Sequence, residues 1–417
     1  MESDGPNRAW TLESDETAGF AARQRHEDFH VEELPLGPPA GEGEHLSLWI
    51  EKRGLSTPEA QARLASALRV ERRRFGRAGL KDADGVTLQE LSIHDPQRQL
   101  DPSELEGLQV GAVRVLRASR RERGLQPGDL LGNRFRLKLR DVDPDGLRRL
   151  ERGLSRLTHQ GVPARFGPQR FGLRGDGARI GLALLRDDFD EVVALACGRP
   201  GPADHGPVRE ARELFDGGDP RAAAERFPPS YGASARLARA VASNRGRSKN
   251  ALRALPRTDV GWWVQAAQSE VFNRIVDERA PHLGRLLAGD VLRPTEPGRD
   301  RRIEGPEPWQ AAADRFEVSP TGLLPGTRVR AAEAEAGAAE ARAMASLGVD
   351  PAHFERSARF GVPGTRRPLR LRLTEPAVWT DADDLGPHVG LRFDLPPGGY
   401  ATTVLEELSR GRVSYGG

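Results

Sequence analysis

The sequence predicts an α+β protein in which a strand-rich domain is interrupted by a mostly helical insertion and completed by the C-terminus. Three observations predict it. Residues 1–174 alternate short extended runs with turns and a few helices; residues 180–360 carry mainly helical periodicity; and the strand pattern returns at RRPLRLRLTE (366–375). The expected division is therefore 1–174, 175–362 and 363–417, with a mixed or antiparallel sheet and flanking helices in the interrupted domain.

Taken in order, HLSLWIEKRG (45–54) reads as a strand, and STPEAQARLASALRV (56–70) as a helix with a Ser/Thr cap, an early proline and apolar residues at helical spacing. AGL, the KDADG turn and VTLQELSI follow, and AVRVLRAS and RFRLKLRDV alternate as strands do. GLRRLERGLSRLTHQG (146–161) is a helix that stops at glycine. The insertion contains IGLALLRDDFDEVVALACG, ARELFDGGDPRAAAERF, VGWWVQAAQSEVFNRIVDERA and the Ala/Glu-rich AAEAEAGAAEARAMASLG (331–348). Pro/Gly-rich joints at 198–207 and 293–308 separate these pieces. LRFDLPPGGYATTVLEELSR closes the pattern.

The chain's 417 residues, 37% of them hydrophobic, suffice for two or three domains with sizeable cores. No apolar run approaches the ~20 residues that a membrane-crossing helix needs. The start, MESDGPNRAWTLESDE, is acidic and unlike a secretory signal. One cysteine, Cys197, excludes a disulfide framework and a thiolate-rich metal site, and its lack of Cys or His neighbours at ligand spacing marks a core residue. A cytoplasmic protein is expected.

Net charge is only +2, but 23 Lys/Arg against 14 Asp/Glu lie between Arg69 and Arg174. They cluster in ERRRFGR (71–77), RASRRER (117–123) and NRFRLKLR (133–140). Such blocks can meet phosphates; they can equally be solvated faces, and only four of the 63 basic residues are Lys, an arginine bias that composition alone explains as well.

Between two extended runs stands KDADG, with Asp82 and Asp84 two apart and Gly85 behind them. A calcium loop fails, because Thr87 falls where glycine belongs and Ile93 where the bidentate glutamate belongs. Asp-Gly favours a polar hairpin turn, and the neighbouring residues leave open whether a carboxylate there also does chemistry. His26 and His30 could share a helix face but lack a third ligand. No GxxxxGK[ST], HExxH or GxSxG motif occurs. FGPQRFG (166–172) sets Gln169 and Arg170 between two aromatics, a group that could stack on a base and reach a phosphate, or form a tight bend over a core.

Together, EDFHVEE (27–33), GEGEHLSLWIEKRG (41–54), AGLKDADGVTLQ (78–89), GNRFRLKLR (132–140), GVPARFGPQRFG (161–172), ALPRTDVGWWVQAAQSEVFNRI (254–275), SPTGLLPG (319–326) and LRFDLPPGGYATTVLEEL (391–408) resemble, in this order, the tRNA pseudouridine synthase D family. The resemblance implies a pseudouridine-synthase catalytic fold with a helical domain inserted after QRFG. It implies a cofactor-free isomerisation of one tRNA uridine, that at position 13, to pseudouridine. The family's GxKD motif puts the catalytic aspartate on Asp82. Its uridine-pocket residues fall on Phe29, Asn133 and Tyr400, with Phe135 pointing the same way as Asn133 along a strand. Lys81 is expected to orient Asp82 or a phosphate rather than to act as a base. RNA contacts are expected at Arg72, Arg73, Arg74, Arg120, Arg121, Gln169 and Arg170, with tRNA as partner, no metal, no membrane and a monomeric state.

The sequence departs from the family pattern at His26, Gly85, Glu406 and Tyr400, none of which is the aspartate. A carboxylate suits the reaction because it can stabilise or trap positive charge at C1′ as the glycosidic bond breaks. Two rivals remain at this level: a catalytically idle tRNA-binding or RNA-folding protein, and a nucleoside-type glycosidic hydrolase, which would normally need a second placed acid.

Overall fold

The computed structural model describes residues 8–39 and 41–416. Two compact units emerge, one built from Trp10–Val162 and Leu371–Gly417, the other from Pro163–Arg370 joined by Arg8 and Ala9. The change in composition sets the joints at 174/175 and 362/363, whereas the contacts set them at 162/163 and 370/371. Side chains near each joint give the reason. Arg165 donates to Asp277 at 2.6 Å, and Asn273 bonds both the amide and the carbonyl of Phe166, at 2.8 and 3.0 Å. Thr365–Pro368 is paired with Val318–Leu324. Residues 163–174 and 363–370 therefore both belong to the mostly helical unit.

The first unit is an eleven-stranded sheet. Its strands in chain order are β1 Phe20–Ala22, β2 Phe29–Pro35, β3 His45–Arg53, β4 Phe75–Arg77, β5 Val86–His94, β6 Gln109–Val110, β7 Val113–Arg121, β8 Leu130–Arg140, β9 Thr374–Asp383, β10 Gly386–Leu395 and β11 Val413–Tyr415. The main order is β9-β10-β8-β2-β5-β3-β7-β6, with β1 beside the end of β8, β11 beside β1 and β4 beside β5. β2 runs parallel to β5, and β1 to β11; the other pairs are antiparallel. The two-residue alternation of a strand sends Phe29, Val31 and Glu33 of β2 to the buried face.

Two helices cover that region. In Gly146–Gln160, Leu150, Leu154 and Leu157 recur every three or four residues, and Gly161 ends the helix at φ 92°. They pack with Leu405 and Leu408 of Ala401–Ser409 against Phe135, Leu137, Leu391 and Phe393. Elsewhere, helix Thr57–Ala67 lays Ala60 and Leu64 on Leu48, Ile50, Leu91 and Val115. That helix begins with a capping box, in which Ser56 accepts from the Glu59 amide while Glu59 accepts from the Ser56 amide.

The second unit is mostly helical, but it also holds a four-stranded sheet of Val291–Pro294, Arg301–Arg302, Val318–Leu324 and Thr365–Pro368. Its spine is the helix Arg257–Arg279, which buries Val260, Trp263, Val264, Val271, Phe272 and Ile275. Cys197 is fully buried, and burial pushes its thiol up to about 12.

Candidate active site

Asp82 lies on the loop between β4 and β5. β4 pairs with the far end of β5, Arg77 opposite Leu91, so residues 78–85 form a wide excursion and not the tight Asp-Gly tip that a hairpin would have. Gly85 is small for another reason: a Cβ there would stand 2.5 Å from the Phe29 carbonyl oxygen. Three hydrogen bonds pin the excursion. The Lys81 amide donates to Thr57 Oγ1 at 3.0 Å, Lys52 Nζ donates to the Asp82 carbonyl at 2.6 Å, and the Gly128 amide donates to the Ala78 carbonyl at 2.8 Å. The backbone is held, while the Asp82 side chain keeps 47% of its surface exposed.

Beside it stands Arg23, whose Nη2 is 3.5 Å from Asp82 Oδ2 and whose guanidinium covers the Phe29 ring at 3.7 Å. Arg23 has φ 56°, a left-handed conformation that residues other than glycine adopt uncommonly. Lys81 points the other way, into the sheet. Its Nζ donates to Asn133 Oδ1 at 2.7 Å and pairs with Glu33 Oε2 at 2.7 Å. Glu33 and Asn133 are register partners on β2 and β8, so the ammonium bridges two neighbouring strands. Burial pushes the Glu33 carboxyl above the usual carboxylate range, against the pull of Lys81.

Phe29 and Phe135 are expected from sequence to touch the nucleoside, yet both are core residues, 1% and 4% exposed. They meet edge to face at 6.3 Å, and Phe135 stacks on Phe393, its register partner, at 5.4 Å. They form a floor. Tyr400, by contrast, is 52% exposed and starts the helix that follows β10; β10 ends at Leu395, the register partner of Asn133.

The basic residues sort themselves by partner. Arg74 and Arg120 converge on the buried Asp95, and Arg121 pairs with Glu90 at 2.6 Å. Burial alone would raise Asp95, but the Leu100 and Gln99 amides and Arg120 outweigh it and hold the carboxyl low. Arg73 is paired with Glu71. Arg72 is exposed and has no ion-pair partner among the described residues. In the helical unit Gln169 is exposed, whereas Arg170 donates to Ser269 at 2.9 Å and Gln265 at 3.2 Å. FGPQRFG and QSEVFN are thus two halves of one interlock. His26 starts a short 3-10 turn and His30 lies in β2, so they share no helix face. Among the described residues no group of three or more His, Cys, Asp or Glu is placed to hold a metal ion, and no helix is long and apolar enough to cross a membrane.

Three residues of the cluster were not singled out from sequence: Arg23, Glu33 and Lys52. The last two were visible in strand alternation. Glu33 follows Phe29 and Val31, and Lys52 follows Leu48 and Ile50, on faces otherwise apolar. Arg23 lies between strands and had no such signal.

The site thus sets a half-exposed carboxylate with an arginine beside it on a mixed sheet whose unit is interrupted by a mostly helical one. The family model described as tRNA pseudouridine synthase D matches residues 7–408. A tRNA pseudouridine synthase D from Geobacter metallireducens is 37% identical over 94% of this chain and 95% of its own length. One from Syntrophotalea carbinolica is 38% identical over 92% and 94%. A crystal structure from Methanosarcina mazei, assigned to the same enzyme, superposes with a TM-score of 0.83 at 28% identity, covering 98% of this chain and 99% of that one. The chain belongs to the tRNA pseudouridine synthase D family.

Proposed function

We propose that this chain converts a uridine of tRNA, the one at position 13, to pseudouridine, with Asp82 as the nucleophile at C1′. The observation that carries the reading is the contrast at residues 81 and 82: Lys81 is consumed by internal partners, while the adjacent carboxylate projects from a pinned loop with Arg23 as its one ion-pair partner among the described residues. The glycosidic C1′–N1 bond breaks, C1′ bonds to C5, the C5 proton leaves and N1 takes one up, so the product is an isomer and no redox partner is needed. Asp82 stabilises or traps the positive charge at C1′. Arg23, 3.5 Å from that carboxylate, supplies positive potential to the departing uracil.

Asn133 has its Oδ1 occupied by Lys81, which leaves Nδ2 to donate to a uracil carbonyl. The exposed ring of Tyr400 is the face on which the extruded base stacks, while Phe29 and Phe135 shape the floor and carry Arg23. Pro163–Arg370 is an inserted domain and the flanking segments a catalytic one. The protein acts as a monomer in the cytoplasm, where arginines such as Arg72 meet tRNA phosphates.

The test is pseudouridine mapping of tRNA incubated with wild type and Asp82→Asn. The amide keeps shape but cannot act as an anion, so the rate should fall by orders of magnitude with folding and tRNA affinity retained. A variant keeping more than about a tenth of the rate, a loss of only ~1.4 kcal/mol, would overturn the role of Asp82.

A further inference from the structure

We propose that Lys52 is a positioning residue for the reaction, a buried cation that sets the peptide from which Asp82 hangs. Lys52 lies on β3, a central strand, and none of its surface is exposed. Among the described residues it has no carboxylate at ion-pair distance. Its three N–H donors instead meet three acceptors: the Leu55 carbonyl at 2.6 Å, the Asp82 carbonyl at 2.6 Å and Thr87 Oγ1 at 3.4 Å. An ammonium with no counter-ion is costly to bury, so a fold that keeps one invites a functional account. With its donors taken, it cannot reach substrate or serve as a base. What it can do is fix the backbone carbonyl of Asp82 itself and add positive potential near the carboxylate. A displacement of about 1 Å at such a position is worth about a hundredfold in rate.

Burial depresses the Lys52 ammonium to about 8; the Asp82 carboxylate and Glu59 favour its charge, and Lys81 opposes it. Thr87 faces it from β5 and Leu55 from the segment before helix Thr57–Ala67. Above that pH the amine keeps two donors for three acceptors and turns a lone pair on one of them, so the turn loosens. The loss of rate is separable from unfolding by its sign. Between about 8 and the ordinary value of 10.5 the unfolded chain holds a proton that the folded one has shed, so the contribution of Lys52 to stability rises with pH while the rate falls.

This inference rests on the assignment of Asp82, and the experiment separates the two. Single-turnover pseudouridine formation and tRNA affinity are measured from pH 6 to 9.5 for wild type, Lys52→Met and Thr87→Val. Lys52→Met, an uncharged side chain of similar length, should be about a hundredfold slower with affinity within about threefold, and its residual rate should lack the alkaline limb near pH 8. Thr87→Val removes an acceptor that favours the charged form, so its limb should move to lower pH; a limb belonging to the substrate would not move. If Lys52→Met unfolds, as its melting temperature would report, the Thr87→Val shift decides. A rate for Lys52→Met within about threefold of wild type, or a limb unmoved by Thr87→Val, overturns the proposal alone. A wild type that forms no pseudouridine in tRNA overturns both.

Discussion

Glu33 occupies a core position of β2, and its carboxylate is tied to Lys81 and to the Glu90 amide. Its raised pKa means that the folded state binds a proton more readily than the unfolded one. Ionisation of Glu33 therefore weighs against folding as pH rises above the usual carboxylate range, and Lys81 offsets this. Lys81→Met should thus destabilise the protein by about 3–5 kcal/mol, the cost of leaving a buried charge unpaired. Adding Glu33→Gln should recover most of that loss without recovering activity, as urea midpoints and single-turnover rates on the two variants would show. A Lys81→Met protein of wild-type stability would refute the pairing. Asp82, Lys81 and Asn133 could be singled out from sequence because their motifs are local. Phe29 and Phe135 were legible as aromatics but not as floor, since burial depends on strands far away in sequence. Arg23 was not legible at all: its position comes from a left-handed residue between β1 and β2.

The loop 78–85 and the basic elements around it show how far composition carries. A cluster of arginines looked like one phosphate-binding surface, yet Arg74, Arg120 and Arg121 neutralise Asp95 and Glu90 within the sheet, carboxylates whose burial no run of sequence announces. Two substitutions should therefore behave oppositely. Arg72→Ala should reduce the slope of log affinity against log salt by about 1 and leave stability unchanged. Arg120→Ala should leave the slope nearly intact and lower stability by about 1.5–3 kcal/mol, the usual worth of hydrogen bonds to a charged group. Equal salt effects for the two would return both to the binding surface. Strands β3, β5, β7 and β8 were plain from alternation. Val318–Leu324 was not, because all seven residues are buried and include Pro320 and Gly322, leaving no two-residue pattern to read.

On the scale of the whole molecule, the interrupted order of strand-rich, helical and strand-rich sequence was readable from composition. The joints were shifted because a segment can read as strand or turn whichever unit it serves. The ends of the helical unit lie together, with the Ala164 amide donating to the Leu369 carbonyl at 2.9 Å. A fragment spanning Pro163–Arg370 should therefore fold alone with a cooperative calorimetric transition. A fragment spanning Trp10–Val162 should not, since β10 pairs with β8 over seven residues and contributes Leu391, Phe393 and Leu395 to the core. A sharp melting transition in the second fragment would contradict this account of the core.

The same topology orders events at the ribosome. Asp82 is synthesised early, but the sheet that supports its neighbours lacks β10, and Tyr400 does not yet exist, until the whole of Pro163–Arg370 has been translated. At roughly 5–20 residues per second that is a delay of roughly ten to forty seconds. During this time β8 presents an open edge and the floor under Arg23 lacks Phe393. A truncated chain would carry Asp82 without Tyr400 and without the full sheet, so premature termination should yield an inactive, aggregation-prone product. Competence to modify RNA waits on residues that follow Arg370.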